Sequence, residues 1–288
     1  MVKDLLKKVS RLIPDKPYIV LKYRTRMGKF PNLKNPKTFN EKLQWLKLYN
    51  RKPEYTTMVD KYEVKKYVAD KIGEEYIIPT LGVWDSFDDI DFDKLPDQFV
   101  LKCTHDSGGL VICRDKSKLD KEAAKKKIDA CLKTNYYWHG REWPYKNVKP
   151  RIIAEEYVAD PRNPDQPSLL VYKIMTFGGK PKIIQAIQGD KTQFETIDYF
   201  DTEWNLLNIG QNFPNSKKPL EKPVSLDIML SFAEKMSGEQ PFLRVDFYEV
   251  DGKPVFSEFT FFSDSGMAQF HPESWDLTFG DWITLPQR

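Results

Sequence analysis

Arg244, Asp246 and Tyr248 alternate with apolar residues in Arg-Val-Asp-Phe-Tyr, and Phe256, Glu258 and Thr260 alternate in Phe-Ser-Glu-Phe-Thr. Side chains two residues apart on a strand share a face, so each trio projects together. The Val and aromatic content, with Asp251-Gly252 between the runs, predicts a β-hairpin. Asp and Glu are poor strand residues, and two of them on neighbouring strands call for a cation; a hard divalent ion such as Mg²⁺ suits the oxygen ligands Asp246 and Glu258. Register decides the matter. A two-residue turn sets Asp246 opposite Ser257. A three-residue loop, Asp251 to Lys253, or a bulge sets Asp246 opposite Glu258 and Arg244 opposite Thr260. The competing reading is an exposed hairpin with ordinary surface acids.

A second group lies in Phe99-Val-Leu-Lys102-Cys-Thr-His105-Asp106-Ser107-Gly108-Gly109-Leu-Val-Ile-Cys113. It reads as strand, glycine loop, strand. Lys102 projects opposite Phe99 and Leu101, and a lysine in an apolar strand is costly unless an anion meets it. Gly108 and Gly109 permit backbone N–H groups close to phosphate oxygens. The run lacks the Gly-Lys-Ser/Thr ending of a Walker A loop and the dinucleotide fingerprint. The competing reading is a glycine hairpin with a surface lysine. Glu155-Glu156-Tyr157-Val158 forms a further acidic strand, either an adenine-reading hinge or a solvated edge, and Lys173 is another cation inside an apolar strand. His105, Asp106 and Ser107 make no triad by adjacency, and His139 and His271 lack zinc spacing.

The elements that must position these groups follow from periodicity. Residues 1–75 read as mainly helical, with an amphipathic helix from Asn40 to Tyr49 entered through Pro36 and Thr38, and another from Asp60 that ends near Gly73. Strands follow at 76–78, 81–84, 99–103 and 110–113, then a Lys-rich helix over 118–134. The polar, aromatic stretch Asn135 to Pro150 suits a lid or a connection between lobes. Further strands lie at 151–158, 169–177 and 181–188, and a helix at 225–237 precedes the late hairpin. Hairpins and scattered helices predict an α+β fold, not a parallel βαβ series. The expected division is a helical segment over 1–75, a lobe with the glycine loop over 76–150, and a lobe with the metal site over 151–288.

Bulk properties narrow the classes. The chain has 288 residues, 40% apolar and 30% charged, enough for one large domain or two lobes. No apolar run is long enough to span a bilayer, and the N-terminus is not a secretory signal. Cys103, Cys113 and Cys131 lack metal spacing and read as reduced thiols of a cytoplasmic protein. Net charge is only +3, yet nine lysines and arginines crowd the first thirty residues beside the stripe Leu5, Leu6, Val9, Leu12 and Ile13. That face is either a docking helix with a solvated basic side or a surface for anionic lipid, or for a phosphorylated carrier, at the membrane. No nucleic-acid-binding module is present.

The order of the elements (strand lysine, glycine loop, Glu-Glu-Tyr-Val hinge, strand lysine before Phe-Gly-Gly, then Arg-x-Asp and Glu-x-Thr on a late hairpin) resembles the ATP-grasp superfamily. The likeness is to the TupA-like branch, named for a teichuronopeptide biosynthesis protein. It is carried by Lys37-Thr-Phe-Asn-Glu-Lys42, Val59-Asp-Lys61-Tyr, Leu95-Pro-Asp-Gln-Phe-Val-Leu-Lys102-Cys, Tyr199-Phe-Asp-Thr-Glu-Trp204, Arg244-Val-Asp-Phe-Tyr248, Ser257-Glu-Phe-Thr260-Phe and Trp275-Asp-Leu-Thr-Phe-Gly280-Asp-Trp. The resemblance implies an ATP-grasp-like two-lobed fold that holds ATP between the lobes. It implies that Lys102 holds a phosphate, that Ser107, Gly108 and Gly109 cover the phosphates, and that Glu155, Glu156, Tyr157 and Val158 form the adenine hinge. Lys173 then stands on the phosphate or ribose side, Asp246 and Glu258 hold Mg²⁺, and Arg244 faces the γ-phosphate or an acyl-phosphate. Two positions depart from the pattern. Thr260 replaces the usual Asn, and Asp106 replaces a glycine, which sets Asp106 toward an acceptor amine.

The expected activity is an ATP-dependent, ADP-forming ligase that joins a small-molecule carboxylate to an amine. By analogy with the family, the carboxylate is a uronic acid or a sugar nucleotide in surface-polysaccharide biosynthesis. Two alternatives stand beside it: a glycosyltransferase using a sugar nucleotide, for which Asp89-Ile-Asp91 and Asp91-Phe-Asp93 supply the acids, and a non-catalytic nucleotide-binding partner.

Overall fold

In a computed structural model, which describes residues 10–106, 108–162 and 168–287, the chain folds around two antiparallel sheets. Among the described residues, the helices α1 (Asp15–Met27), α2 (Phe39–Tyr49), α3 (Glu54–Val59) and α4 (Glu63–Ile72) precede the sheets. Thr38 starts α2 through a capping box, in which its side chain accepts from the Glu41 amide while the Glu41 carboxylate accepts from the Thr38 amide. The apolar stripe of α2 does not close on the other helices alone. Phe39 sits edge-on to Phe242 at 4.9 Å and also meets Phe177, Phe270 and Phe279. The N-terminal helices therefore share the core of the large sheet and cannot bury their apolar faces without it. Of the basic N-terminal face, Leu5, Leu6 and Val9 lie outside the described residues, and Leu12 is 83% exposed.

The small sheet holds β1 (Thr80–Trp84), β2 (Phe99–Cys103), β3 (Leu110–Cys113) and β4 (Ile152–Glu156) in the order β1-β4-β2-β3. Helix α5 (Lys121–Leu132) covers one face, where Phe99, Leu101, Cys103, Ile128, Ile152 and Ala154 form a second core. Strict alternation leaves Val100, Lys102, Ile153 and Glu155 on the other face. The boundary expected at residue 151 falls at the start of β4. Strand β4 lies between β1 and β2, so Glu155 and Glu156 belong to the small lobe. A short helix, α6 (Tyr137–Gly140), lies in the connection from α5 to β4.

The large sheet holds β5 (Val171–Phe177), β6 (Lys180–Gln188), β7 (Thr196–Phe200), β8 (Leu206–Leu207), β9 (Phe242–Val250) and β10 (Lys253–Thr260), ordered β10-β9-β5-β6-β7-β8. Helix α7 (Leu226–Ser237) backs it, with Thr176 donating to Ser237 across that interface at 2.9 Å. Leu243, Val245 and Phe247 share that face with Thr176, so Arg244, Asp246 and Tyr248 must point the other way, toward the small sheet. Helix α8 (Ser274–Asp281) closes the chain against α2. A parallel bridge, Ile77 to Phe256, ties the lobes at one side of the cleft.

Candidate active site

The late hairpin reaches the register that brings its acids together by a route neither simple turn provides. Asp251 (φ 49°) and Gly252 (φ 74°) form a two-residue turn with both central residues left-handed, as a type I′ turn requires. Such a turn alone sets Asp246 against Ser257. A bulge between Phe256 and Glu258 absorbs one residue, so Glu258 pairs with Asp246 and Thr260 with Arg244. On the other side of β9, Lys173 pairs with Asp246, and Gln185 with Lys173. One row of the sheet thus reads Glu258, Asp246, Lys173, Gln185.

Arg244 grips Asp246 with two parallel bonds, Nε to Oδ1 and Nη2 to Oδ2, both 2.7 Å. Its remaining donors reach Thr260 Oγ1 at 3.0 Å and Ser263 Oγ at 3.2 Å. Burial raises the Asp246 carboxyl above its ordinary value despite the guanidinium. Glu258 goes the other way. Burial would raise it, but Lys61, Lys191, Arg244 and Lys173 surround it and hold it at about 2.

From the opposite lobe, Lys102 meets Glu155 at 2.5 Å, and Lys65 of α4 meets the other Glu155 oxygen at 2.5 Å. The sequence reading grouped Glu155 with the hinge. Its carboxylate instead turns inward to bridge two lysines. Burial works against ionisation of Glu155, but Lys102 and Lys65 overcome it and hold its carboxyl below the usual value. In return Glu155 keeps Lys102 above the usual lysine value although the side chain is enclosed.

One cleft joins these groups. Lys102, Glu155, Lys173, Asp246 and Glu258 line its charged end. Its more apolar end is lined by Ile78, Leu110, Val158, Leu169 and Val171, with Glu156 and Tyr157 on the same wall. Lys102, Glu155, Val171 and Tyr248 border both ends, so the space is continuous. The cleft thus sets an apolar slot next to a chamber lined by both lysines and carboxylates.

The glycine loop differs in detail from its sequence reading. Ser107 lies outside the described residues. A side chain on Gly108 would meet nothing closer than 3.6 Å, so its backbone is open to approach. A Cβ on Gly109 would fall 2.5 Å from the Cys131 sulfur and 2.6 Å from that of Cys103. Glycine is required there by packing on two thiols. Asp106 accepts from the Gly108 amide and the Cys131 thiol, both at 2.8 Å, which shapes the loop, and it lines the charged end of the cleft. His105 is buried, with Nε2 against the carbonyls of Cys131 and Thr134. The three cysteines are free thiols. The Asp-x-Asp acids cap short turns: Asp91 accepts from the Asp93 amide and pairs with Lys94, while Phe87, Ile90 and Phe92 beside them pack into the core on the far face of the small sheet.

Sequence reasoning missed Lys61, Lys65, Asp190 and Lys191. Lys61 donates to the Asp106 carbonyl at 2.6 Å and stands 3.9 Å from Glu258. Asp190 lies 3.9 Å from Lys173 and 4.0 Å from Lys191. Lys61 falls within a stretch that carried the family likeness; Lys65 is hidden in a lysine-rich helix, and only the fold turns it inward.

Residues 41–284 match the family described as TupA-like ATP-grasp. The chain belongs to the TupA-like ATP-grasp family. Members of the ATP-grasp superfamily are ATP- and Mg²⁺-dependent ligases. Solved structures give distant likenesses. D-alanine–D-alanine ligase from Bacillus anthracis, complexed with ATP, is 18% identical, with 71% of this chain and 55% of that one covered at a TM-score of 0.39. The ADP complex of N5-carboxyaminoimidazole ribonucleotide synthetase is 13% identical over 77% and 50% of the two chains, at 0.44. A RimK domain ATP-grasp protein from Sphaerobacter thermophilus is 12% identical over 79% and 68%, at 0.42. This TupA-like chain spans little more than half the length of the first of these. No curated protein sequence matches it. Among the described residues no helix is long and apolar enough to cross a membrane.

The residues fit Mg²⁺ in one way only. Among the described residues no cluster of three or more His, Cys, Asp or Glu side chains could cage an ion. Two facing carboxylates suit an ion that takes its remaining ligands from phosphates and water, the usual habit of Mg²⁺ at nucleotide sites.

Proposed function

We propose that this chain is an ATP-dependent carboxylate–amine ligase that forms an amide through an acyl-phosphate and releases ADP. The observation that carries the reading is the convergence of Lys102 and Glu155 from one lobe with Asp246, Glu258 and Lys173 from the other around a single cleft. Adenine lies in the apolar slot beside Val158 and Val171, with the Glu156–Val158 backbone at its edge. The triphosphate extends toward Lys102, Lys173 and the open Gly108. Asp246 and Glu258 hold Mg²⁺, which when bound neutralises charge on the phosphates.

The protein's task is electrostatic, because a carboxylate must approach a polyanion. Lys102, held charged by Glu155, offsets phosphate charge, and Glu258 is ionised across the working pH range. Arg244 lies where the phosphoryl group and the acyl oxygen meet, with its fork fixed by Asp246. The carboxylate oxygen takes the phosphoryl group; the amine nitrogen then attacks the acyl carbon and phosphate leaves with the bonding pair. The family likeness supports a uronic acid or sugar nucleotide of surface polysaccharide as the carboxylate. The basic N-terminal segment supports contact with an anionic membrane surface or a phosphorylated carrier.

The test is nucleotide turnover. Purified protein with Mg-ATP, a uronic-acid panel and an amine panel releases ADP with one pairing. Release of AMP, or no thermal stabilisation by Mg-ATP, refutes the reading.

A further inference from the structure

The carboxylates that line the cleft, and one that lies just outside it, differ in what already satisfies them. Glu155 is bound to Lys65 and Lys102, Asp246 to Arg244, and Asp190 lies within reach of Lys173 and Lys191. Glu258 faces Lys61, and Asp106 is used by the glycine loop. Asp264 is different. Its Oδ2 accepts from the Gln211 amide at 2.7 Å and lies 3.4 Å from the Ser263 hydroxyl, both neutral groups, and it makes no ion pair among the described residues. The side chain is exposed. It lies outside the residues that line the two ends of the cleft but close to Arg244, because Ser263 Oγ is also the 3.2 Å partner of Arg244 Nη1. Two hydrogen bonds through one hydroxyl separate the Asp264 carboxylate from the guanidinium.

The backbone that presents Asp264 is held from behind. Asp264, Ser265 and Gly266 have φ of 49°, 55° and 63°, left-handed in a row, which costs free energy at the two residues that carry a Cβ. Lys47, fully buried on α2, donates to the Ser265 carbonyl and hydroxyl at 2.7 and 2.8 Å. Gln44, one turn earlier, donates to the carbonyls of Ser265 and Gly266 at 3.0 and 2.6 Å. The N-terminal helix thus fixes the loop while leaving the Asp264 carboxylate facing outward.

We infer that Asp264 is the subsite for the acceptor's primary ammonium, so that the amine substrate enters as a cation beside Arg244. This rests on the ligase reading above and adds the charge state and place of the acceptor. The ammonium pairs with Asp264 and passes one proton to that carboxylate. The freed nitrogen lone pair forms the C–N bond, the acyl C–O bond to phosphate breaks, phosphate leaves with the electron pair, and the second nitrogen proton goes to the departing phosphate. No further reactant is needed.

The test separates the two half-reactions with hydroxylamine, a nucleophile that is neutral at pH 7 and needs no anionic subsite. Asp264→Asn keeps shape and the left-handed backbone, which Asn tolerates. With Mg-ATP and the carboxylate panel, wild type and Asp264→Asn form hydroxamate and ADP at similar rates. With the amine panel, the variant's KM for the selected amine rises about 10- to 100-fold, the usual scale for losing a hydrogen bond to a charged partner, and its kcat falls as well, because the Asn amide cannot take the ammonium proton. Mg-ATP thermal stabilisation is unchanged. An unchanged amine KM overturns the assignment. Equal loss in the hydroxylamine and amine arms also overturns it, because Asp264 then serves an earlier step. Absence of ADP release from wild type in both arms refutes the ligase reading itself, so the two failures are distinct.

Discussion

Glu155→Gln is the most informative single change, because one carboxylate serves two cations. Glu155 is 5% exposed and meets Lys65 and Lys102 at 2.5 Å each. Removing one partner of a buried ion pair costs about 3–5 kcal/mol. Here the lysine side chains keep 16% and 22% of their surface, so solvent recovers part of that, leaving about 2–4 kcal/mol. For a chain of this size the melting temperature should fall by about 4–8 °C. The pH dependence gives an independent sign. The folded-state Glu155 carboxyl is depressed below its ordinary value of 4.5 because Lys102 and Lys65 outweigh burial. Its contribution is therefore present above pH 4.5 and lost as pH falls through the depressed value. Thermal unfolding of wild type and variant from pH 3 to 8 should show a gap at neutral pH that closes in acid. Lys102 also loses the partner that keeps it charged, so Mg-ATP stabilisation of the variant should fade at a lower alkaline pH than in wild type. Equal melting temperatures at pH 7, or a gap that persists undiminished at pH 3, would refute the reasoning.

Other outcomes follow from the same geometry. Asp246→Ala and Glu258→Ala should each lower turnover by at least about 100-fold, read by ADP release, with far-ultraviolet circular dichroism unchanged. Arg244→Lys replaces a two-pronged fork with a point charge, and kcat should drop about 100-fold while Mg-ATP affinity, read calorimetrically, changes far less. On the acid side, activity should be limited by Asp246, whose carboxyl burial raises, and not by Glu258, held at about 2; Asp246→Glu should move the acid limb of the rate profile and leave the alkaline limb in place. Gly109→Ala forces a methyl to within 2.6 Å of two sulfurs, so the melting temperature should drop and Mg-ATP stabilisation weaken with it, whereas Gly108→Ala should spare stability.

Much of the site was legible because period-two alternation is a strong local signal. It put Arg244, Asp246 and Tyr248 on one face and Lys102 opposite Leu101, and the fold keeps both. The register of the late hairpin was legible only as a choice, since a bulge leaves no mark in composition. Sheet membership was not legible for Ile152–Glu156: its alternation fits either sheet, and a long connection separates it from β2, its neighbour. The direction of Glu155 depended on that placement. Gly109 looked like a phosphate glycine because sequence shows flexibility and cannot show the two thiols beneath it. Lys47 and Gln44 read as the polar side of an amphipathic helix, and only the docking of α2 against the 263–266 turn reveals what they hold.

The central claim is that two lobes grip one Mg-nucleotide, with Lys102 and Lys173 on its phosphates and Asp246 and Glu258 on its metal. A crystal structure with Mn²⁺ and a non-hydrolysable ATP analogue tests it directly. The account predicts an anomalous peak bonded to Asp246 and Glu258, phosphate oxygens on Lys102, and adenine beside Val158. A nucleotide bound elsewhere, or a metal peak remote from those two carboxylates, would contradict it.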